Sequence, residues 1–327
     1  MAETGNISRI LSAIAAVLIG SGGIIALFFA ANWLVDRLPR KVRPRILPWV
    51  YMAPSLLLLV IYLVIPSLRT FYLSFFDRRS QHFVGLANYV FALTDKGMLI
   101  SFRNNILWIV LVTAISVGLG LIIAVLVDRV KYEPLAKALI FLPMAISFVG
   151  ASVIWRFIYA YTPPDLEQIG LLNAMLVGLG FEPVGWLVNK AVNNLALIII
   201  MIWLQTGFAM VLLSAAVKGI PKDVLEAARM DGANELQIFR RITIPMISST
   251  IVVVATTTIV AVLKVFDIVF VMTGGNFGTD VIASRMIKEM FNYRHFGRGS
   301  AIAVILLLAV IPVMITNIQR FRQQEGA

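Results

Sequence analysis

Between Gly219 and Pro245 the sequence carries a charged stretch whose residue types suit contact with another protein rather than bond-making chemistry. Glu226 offers a carboxylate to a basic or hydroxyl partner, Ala227 and Ala228 allow close approach, and Gly232, next to Asp231, permits a sharp turn where a Cβ would obstruct. A second polar set lies inside apolar segments: Gln205, Thr206 and Phe208 after Trp203, then Thr257, Lys264 and Asp267. Polar groups at membrane depth face a bundle interior or a cavity. Lys264 and Asp267, three residues apart, are expected to share a helix face, as a neutralised pair or as part of a cavity lining. No nucleophile, base or metal set clusters in the sequence, His82 and His295 stand alone, and there is no cysteine, so no catalytic or metal-binding residue is predicted. A Gly-x-x-x-x-Gly-Lys-Ser/Thr phosphate loop is missing as well, and the Gly-rich run Gly274 to Gly278 lacks the lysine. No cofactor is expected on this chain.

The elements that must position these residues are membrane helices. Of 327 residues, 60% are hydrophobic, and the mean hydropathy is +0.90, well above a soluble domain. The predicted fold is all-α and polytopic, with about seven spans near 10–35, 47–67, 104–127, 138–160, 194–217, 246–272 and 299–318. The first is expected to be a retained helix, not a removed leader, with Gly20, Gly22 and Gly23 giving a smooth face for close packing. Residues 1–46 then form an additional N-terminal helix and basic turn, and 47–327 the main membrane domain, with the charged loop at 218–245. Lys and Arg are denser on the side that holds this loop, which predicts a cytoplasmic loop, an outside N-terminus and a cytoplasmic C-terminus. The same rule accounts for the net charge of +11 without nucleic acid. Within the loop, Pro221 suits a first helical position and Gly232 a stop, and Asn234 with Gln237 suits a capping box on a second helix. Pro245 marks the start of the next apolar run.

Glu226-Ala227-Ala228, then Gly232, then Ile242-x-Ile244-Pro245 resembles the cytoplasmic Glu-Ala-Ala loop of the permease subunits of binding-protein-dependent ABC importers, with Ile244 where that family has Leu. Flanking segments extend the resemblance from about Tyr51 to the tail. Phe83-Val-Gly-Leu-Ala-Asn-Tyr89, Arg103-Asn104-Asn105 and Phe141-Leu-Pro143 are similar to the maltose and glycerol-phosphate type of sugar permease. Lys137 to Ala151 and Leu263 to Val269 are most similar to the alpha-glucoside permeases.

The resemblance implies a six-helix type I importer core plus one extra helix, in a bacterial cytoplasmic membrane. It implies an ABC ATPase dimer that uses ATP and Mg and docks on the Glu226 loop, a second, different permease subunit, and an extracytoplasmic sugar-binding protein. Glu226, Ala227, Ala228, Asp231, Gly232 and Pro245 then couple to the ATPase. Gln205, Thr206, Phe208, Thr257, Lys264 and Asp267 line the substrate path, and Arg156 is a snorkelling anchor. Two rivals stand beside this reading: a permease for glycerol phosphate or another solute, and an ion-coupled secondary transporter that uses Lys264 and Asp267 as its coupling pair.

Overall fold

The computed structural model describes the backbone of residues 2–37, 39, 41–128 and 130–325. Among the described residues every regular element is helical, and one isolated bridge pairs Phe76 with Phe83. The chain divides into two compact units, 1–69 and 70–327.

In the first unit, α1 (Ala2–Asp36) is followed by α2 (Arg43–Leu59), which runs through a π turn (Val60–Val64) into α3 (Ile65–Leu73). Tyr51 donates to Asn32 Oδ1 at 3.1 Å and stacks on Phe28, and Arg43 pairs with Asp36. A Cβ on Gly20, Gly22 or Gly23 would meet nothing within 4 Å, so among the described residues of this unit the close packing expected on that face is not made.

The second unit holds α4 (Ala87–Thr94), α5 (Lys96–Val127), α6 (Glu133–Phe141), α7 (Phe148–Ile158), α8 (Leu171–Gly178) and α9 (Asn193–Lys218). After these come α10 (Lys222–Met230), α11 (Glu235–Ile238), α12 (Ile244–Met246), α13 (Ser248–Leu263), α14 (Asp267–Thr273), α15 (Ile282–Ile287) and α16 (Phe296–Glu325). Among the described residues, five helices are long and apolar enough to cross a membrane, and two bent pairs bring the total to as many as seven.

The bends correct two of the expected spans. Instead of one rod over 138–160, α6 and the 3-10 turn Leu142–Ala145 meet α7 at 99°. Pro143 sits in that turn, Ile146 is extended, and Ser147 starts a fresh helix by accepting from Gly150 N at 3.1 Å. The expected span 246–272 is broken twice. The first break is a 71° bend at Ile247, and the second is the stretch 264–266 between α13 and α14. Lys264 caps the end of α13 while Asp267 opens α14. They therefore do not share a helix face, and no ion pair joins them among the described residues. Two π turns precede a proline at the same distance: Val60–Val64 before Pro66, and Phe239–Thr243 before Pro245. A proline ring crowds the carbonyl four residues back, and the wider turn gives that carbonyl room.

The spine of the second unit is α9, which buries Leu197, Ile200, Met201 and Leu204 against Trp108 and Val112 of α5 and Ile268 and Val269 of α14. Hydrocarbon offers no hydrophobic drive for helices to associate, so close backbone approach and polar links must hold them. Both are present. A Cβ on Gly120 of α5 would stand 2.7 Å from Ala209 Cβ, and one on Gly207 of α9 would stand 2.4 Å from Ile140 O of α6. Near the opposite end of α9, Trp108 Nε1 donates to Asn194 Oδ1 (2.8 Å), Asn194 Nδ2 to Asn104 Oδ1 (3.0 Å), and Asn104 Nδ2 to the carbonyls of Gly278 and Asp280 (2.8 Å each). These links satisfy irregular backbone beside the bundle, where an unpaired carbonyl would be costly.

Gly207→Ala is expected to lower the thermal midpoint of the detergent-purified protein, at a cost of about 1–3 kcal/mol for overpacking against backbone. Gly118→Ala has nothing within 4 Å of its new Cβ and gains helix propensity, so it should hold or raise the midpoint. Equal midpoints for the two variants would contradict the close approach of α9 to α6.

Candidate functional site

The charged loop forms a compact bracket carried on the end of α9. Pro221, with φ −57 and ψ 132, caps α10 from outside rather than occupying its first turn as expected. Gly232 turns the chain at φ +82, a region that L side chains rarely adopt, although a Cβ there would meet open space. Its requirement is the backbone conformation, not a neighbour. Asn234 Oδ1 accepts from Gln237 N (2.9 Å) and Gln237 Oε1 from Asn234 N (2.8 Å), which completes the capping box that opens α11. Arg229 Nε bonds Glu235 Oε1 at 3.0 Å and ties α10 to α11.

The two faces of α10 divide its residues by role. Leu225 turns inward onto a cluster that holds Ile220 and Leu213, and Ala228 and Ile238 are buried. Asp223, Glu226, Ala227 and Met230 fall at helical spacing on the outer face, and all are exposed. Met230 is 88% exposed and Leu236 58%. Glu226 makes no hydrogen bond or ion pair among the described residues. The outer face therefore offers an unpaired carboxylate, a small residue that leaves room beside it, and a flexible apolar side chain. That combination suits a protein groove with a basic or hydroxyl group in it. Ala227 and Ala228, expected to act alike, point in opposite directions. Asp231 and Pro245 are both exposed, Asp231 at the end of α10 and Pro245 inside α12.

The residues expected along a substrate path are not gathered into one place. Thr206 is nine-tenths buried and returns its hydroxyl to Ile202 O (2.7 Å), and Gln205 beside it is half-buried. Phe208 packs on the cluster around Met210. On α13, Thr257 is exposed and bonds Val253 O (2.8 Å). Lys264 is exposed at the break and Asp267 is half-buried one turn later. Thr206 lines a cavity of ≈ 410 Å³ with Trp155, Trp203 and Pro143, and none of the other five lines it.

That cavity belongs to a feature the sequence reading missed. Trp203 of α9 stands 5.8 Å from Trp155 of α7, Trp155 is 5.2 Å from Tyr159, and Tyr159 is 6.0 Å from Trp186 in the Pro-rich loop region 161–193, centroid to centroid. Two further cavities, of ≈ 440 and ≈ 370 Å³, share Tyr159 and Trp186, and the larger also shares Trp155 and Ile199 with the first. The result is a strip of four aromatic rings along three adjoining cavities, with Arg156 and Tyr161 at its far end. Tyr159 anchors the strip by donating to Ala196 O at 2.9 Å. The four-residue spacing of Trp155 and Tyr159 was a legible signal for one step of it.

Comparison with known proteins places this architecture. Residues 116–324 match the model of the family described as binding-protein-dependent transport system inner membrane component. The chain is 73% identical over 275 residues to the osmoprotective compounds uptake permease protein GgtC of Synechocystis sp., a match that covers 84% of this chain and 99% of GgtC. It is 47% identical over 334 residues to the alpha-glucoside transport system permease protein AglF of Rhizobium meliloti, with 98% of each covered. In fold it is similar to a chain of the crystal structure of a bacterial alginate ABC transporter in complex with alginate pentasaccharide-bound periplasmic protein. The TM-score there is 0.75 at 20% identity, over 88% of this chain and 98% of that one. With a family match across most of its length and a bracketed Glu-Ala-Ala loop between its helices, the chain belongs to the binding-protein-dependent inner membrane components, the permease subunits of ABC importers.

Proposed function

We propose that this permease moves an alpha-glucoside or a related small carbohydrate inward, driven by an ATPase dimer docked on the 219–245 loop. The observation that carries the reading is the outer face of α10, where unpaired Glu226, Ala227 and a Met230 that is 88% exposed stand on a bracket rigidly capped from within. The names of the relatives AglF and GgtC support the substrate class: one is called an alpha-glucoside permease, the other an osmoprotectant permease. An extracytoplasmic binding protein delivers the sugar, and a second, different permease completes the pore. ATP and Mg stay with the ATPase subunits. Residues 47–327 act as the permease domain, with 1–46 as an added helix. The loop and the C-terminus face the cytoplasm and the N-terminus faces outward, in keeping with the denser Lys and Arg on the loop side. The broken geometry at 264–266 removes the shared helix face on which an ion-coupled reading rested.

For the sugar path, Thr206 is the polar member that lines the aromatic strip, with Trp203 as a platform, and half-buried Gln205 beside it stays within the proposed path. Phe208, Thr257, Lys264 and Asp267 stay within the proposed path.

Two outcomes test this reading in the reconstituted complex. Glu226→Lys is expected to cut sugar-stimulated ATP hydrolysis by about tenfold or more, since reversing a charge in a desolvated contact costs several kcal/mol. Undiminished stimulation would remove the loop from the coupling path. Gln205→Ala is expected to raise the KM for uptake about three- to tenfold, the worth of one hydrogen bond, with assembly unchanged. An unaltered KM would take Gln205 off the path. Uptake that persists without ATP would overturn the whole reading.

A further inference from the structure

A cluster of charged groups sits where the loop meets the bundle. Lys137 Nζ of α6 donates to Asp128 Oδ1 (2.6 Å) at the end of α5, to Glu133 Oε1 (2.5 Å) and to Ser214 Oγ of α9. Ser214 Oγ in turn donates to Asp128 Oδ1 at 2.8 Å. Lys218, the last residue of α9 before the loop, donates to Glu133 Oε1. Two anions and two cations thus neutralise one another across three helices. Asp128, Lys137 and Glu133 keep only 15%, 18% and 24% of their side-chain surface exposed. The bonds around Lys137, shielded from water, are stronger than exposed pairs, while Lys218, 53% exposed, adds a more solvated link to Glu133.

We propose that this cluster is a strut, with Lys218, Glu133, Lys137 and Asp128 acting as positioning residues that make α5, α6 and α9 follow the loop as one block. The proposal rests on the reading of the loop as the ATPase docking element. Two further contacts lock the same three helices: the approach of Gly120 to Ala209 and of Gly207 to Ile140. At the loop's other end no ion pair is made among the described residues; the chain bends there by 71° at Ile247, which packs with apolar residues of α5 and α9. One end of the loop is therefore held by ion pairs and the other by apolar packing. A push on α10 then travels through Lys218 and Glu133 into α6, and on to α7, which carries Trp155 and Tyr159.

The test uses the complete transporter in proteoliposomes, with ATP hydrolysis and sugar uptake read together. Lys218→Met and Glu133→Leu are expected to leave sugar-stimulated hydrolysis within about twofold while uptake per ATP falls about tenfold, as the loss of a charge-assisted bond between moving parts would give. The chain has no cysteine of its own. The pair Glu133→Cys with Lys218→Cys, in a complex whose other subunits lack cysteine, should be uncoupled as free thiols and recoupled by a short thiol-reactive bridge. Uptake per ATP unchanged in the single variants, or a bridge that fails to restore it, overturns the strut. Wild-type uptake independent of ATP would instead overturn the transport reading on which the strut rests.

Discussion

The structure depends on how closely the backbone of α9 approaches its neighbours. In hydrocarbon, side-chain apolarity alone cannot drive helices together, so contact has to come from small residues and polar links. Gly120 and Gly207 supply the first. The asparagine chain from Trp108 through Asn194 and Asn104 to the 278–280 backbone supplies the second. With α9 fixed along its length, whatever is attached to its end is held as well.

What is attached is the charged bracket. Its inner face packs on the end of the bundle through Ile220 and Leu225, and its outer face is exposed, as the proposed docking surface requires. The division explains why a polar loop between two greasy helices is so well ordered internally: caps, a positive-φ glycine and one ion pair fix its shape before any partner arrives. Preorganisation of that kind lowers the entropic cost of docking. The 99° bend between α6 and α7 brings Trp155 against Trp203 and opens the aromatic strip toward Trp186. The bend has a purpose in that arrangement, since a straight rod over 138–160 would carry Trp155 elsewhere.

Local features were legible in the sequence and distant ones were not, for a physical reason. Asn234 with Gln237, and Gly232 as a stop, could be read because capping and left-handed turns depend on residues a few positions apart. Apolar length revealed the spans but not their breaks. Hydropathy is blind to a proline-bearing 3-10 turn followed by a serine that recaps the chain, as at Pro143 and Ser147. The pairing of Lys264 with Asp267 assumed an unbroken helix and failed with it. The ion cluster joins residues 77 and 85 positions apart, Lys137 with Ser214 and Glu133 with Lys218, and no spacing rule reaches that far. Trp186 is in the same position: nothing in the Pro-rich loop marks it as the end of a strip that begins on α9.

The central claim is that the outer face of α10 is where force enters the permease. Because the chain contains no cysteine, Met230→Cys places a single thiol on that face at a position 88% exposed. Its rate of labelling by a bulky maleimide, with and without the ATPase subunits, measures the contact directly. Strong protection in the assembled complex, absent from a thiol placed on Leu179 in the α8 region, is the predicted result. Equal labelling of Met230→Cys in the free and assembled states would contradict the account.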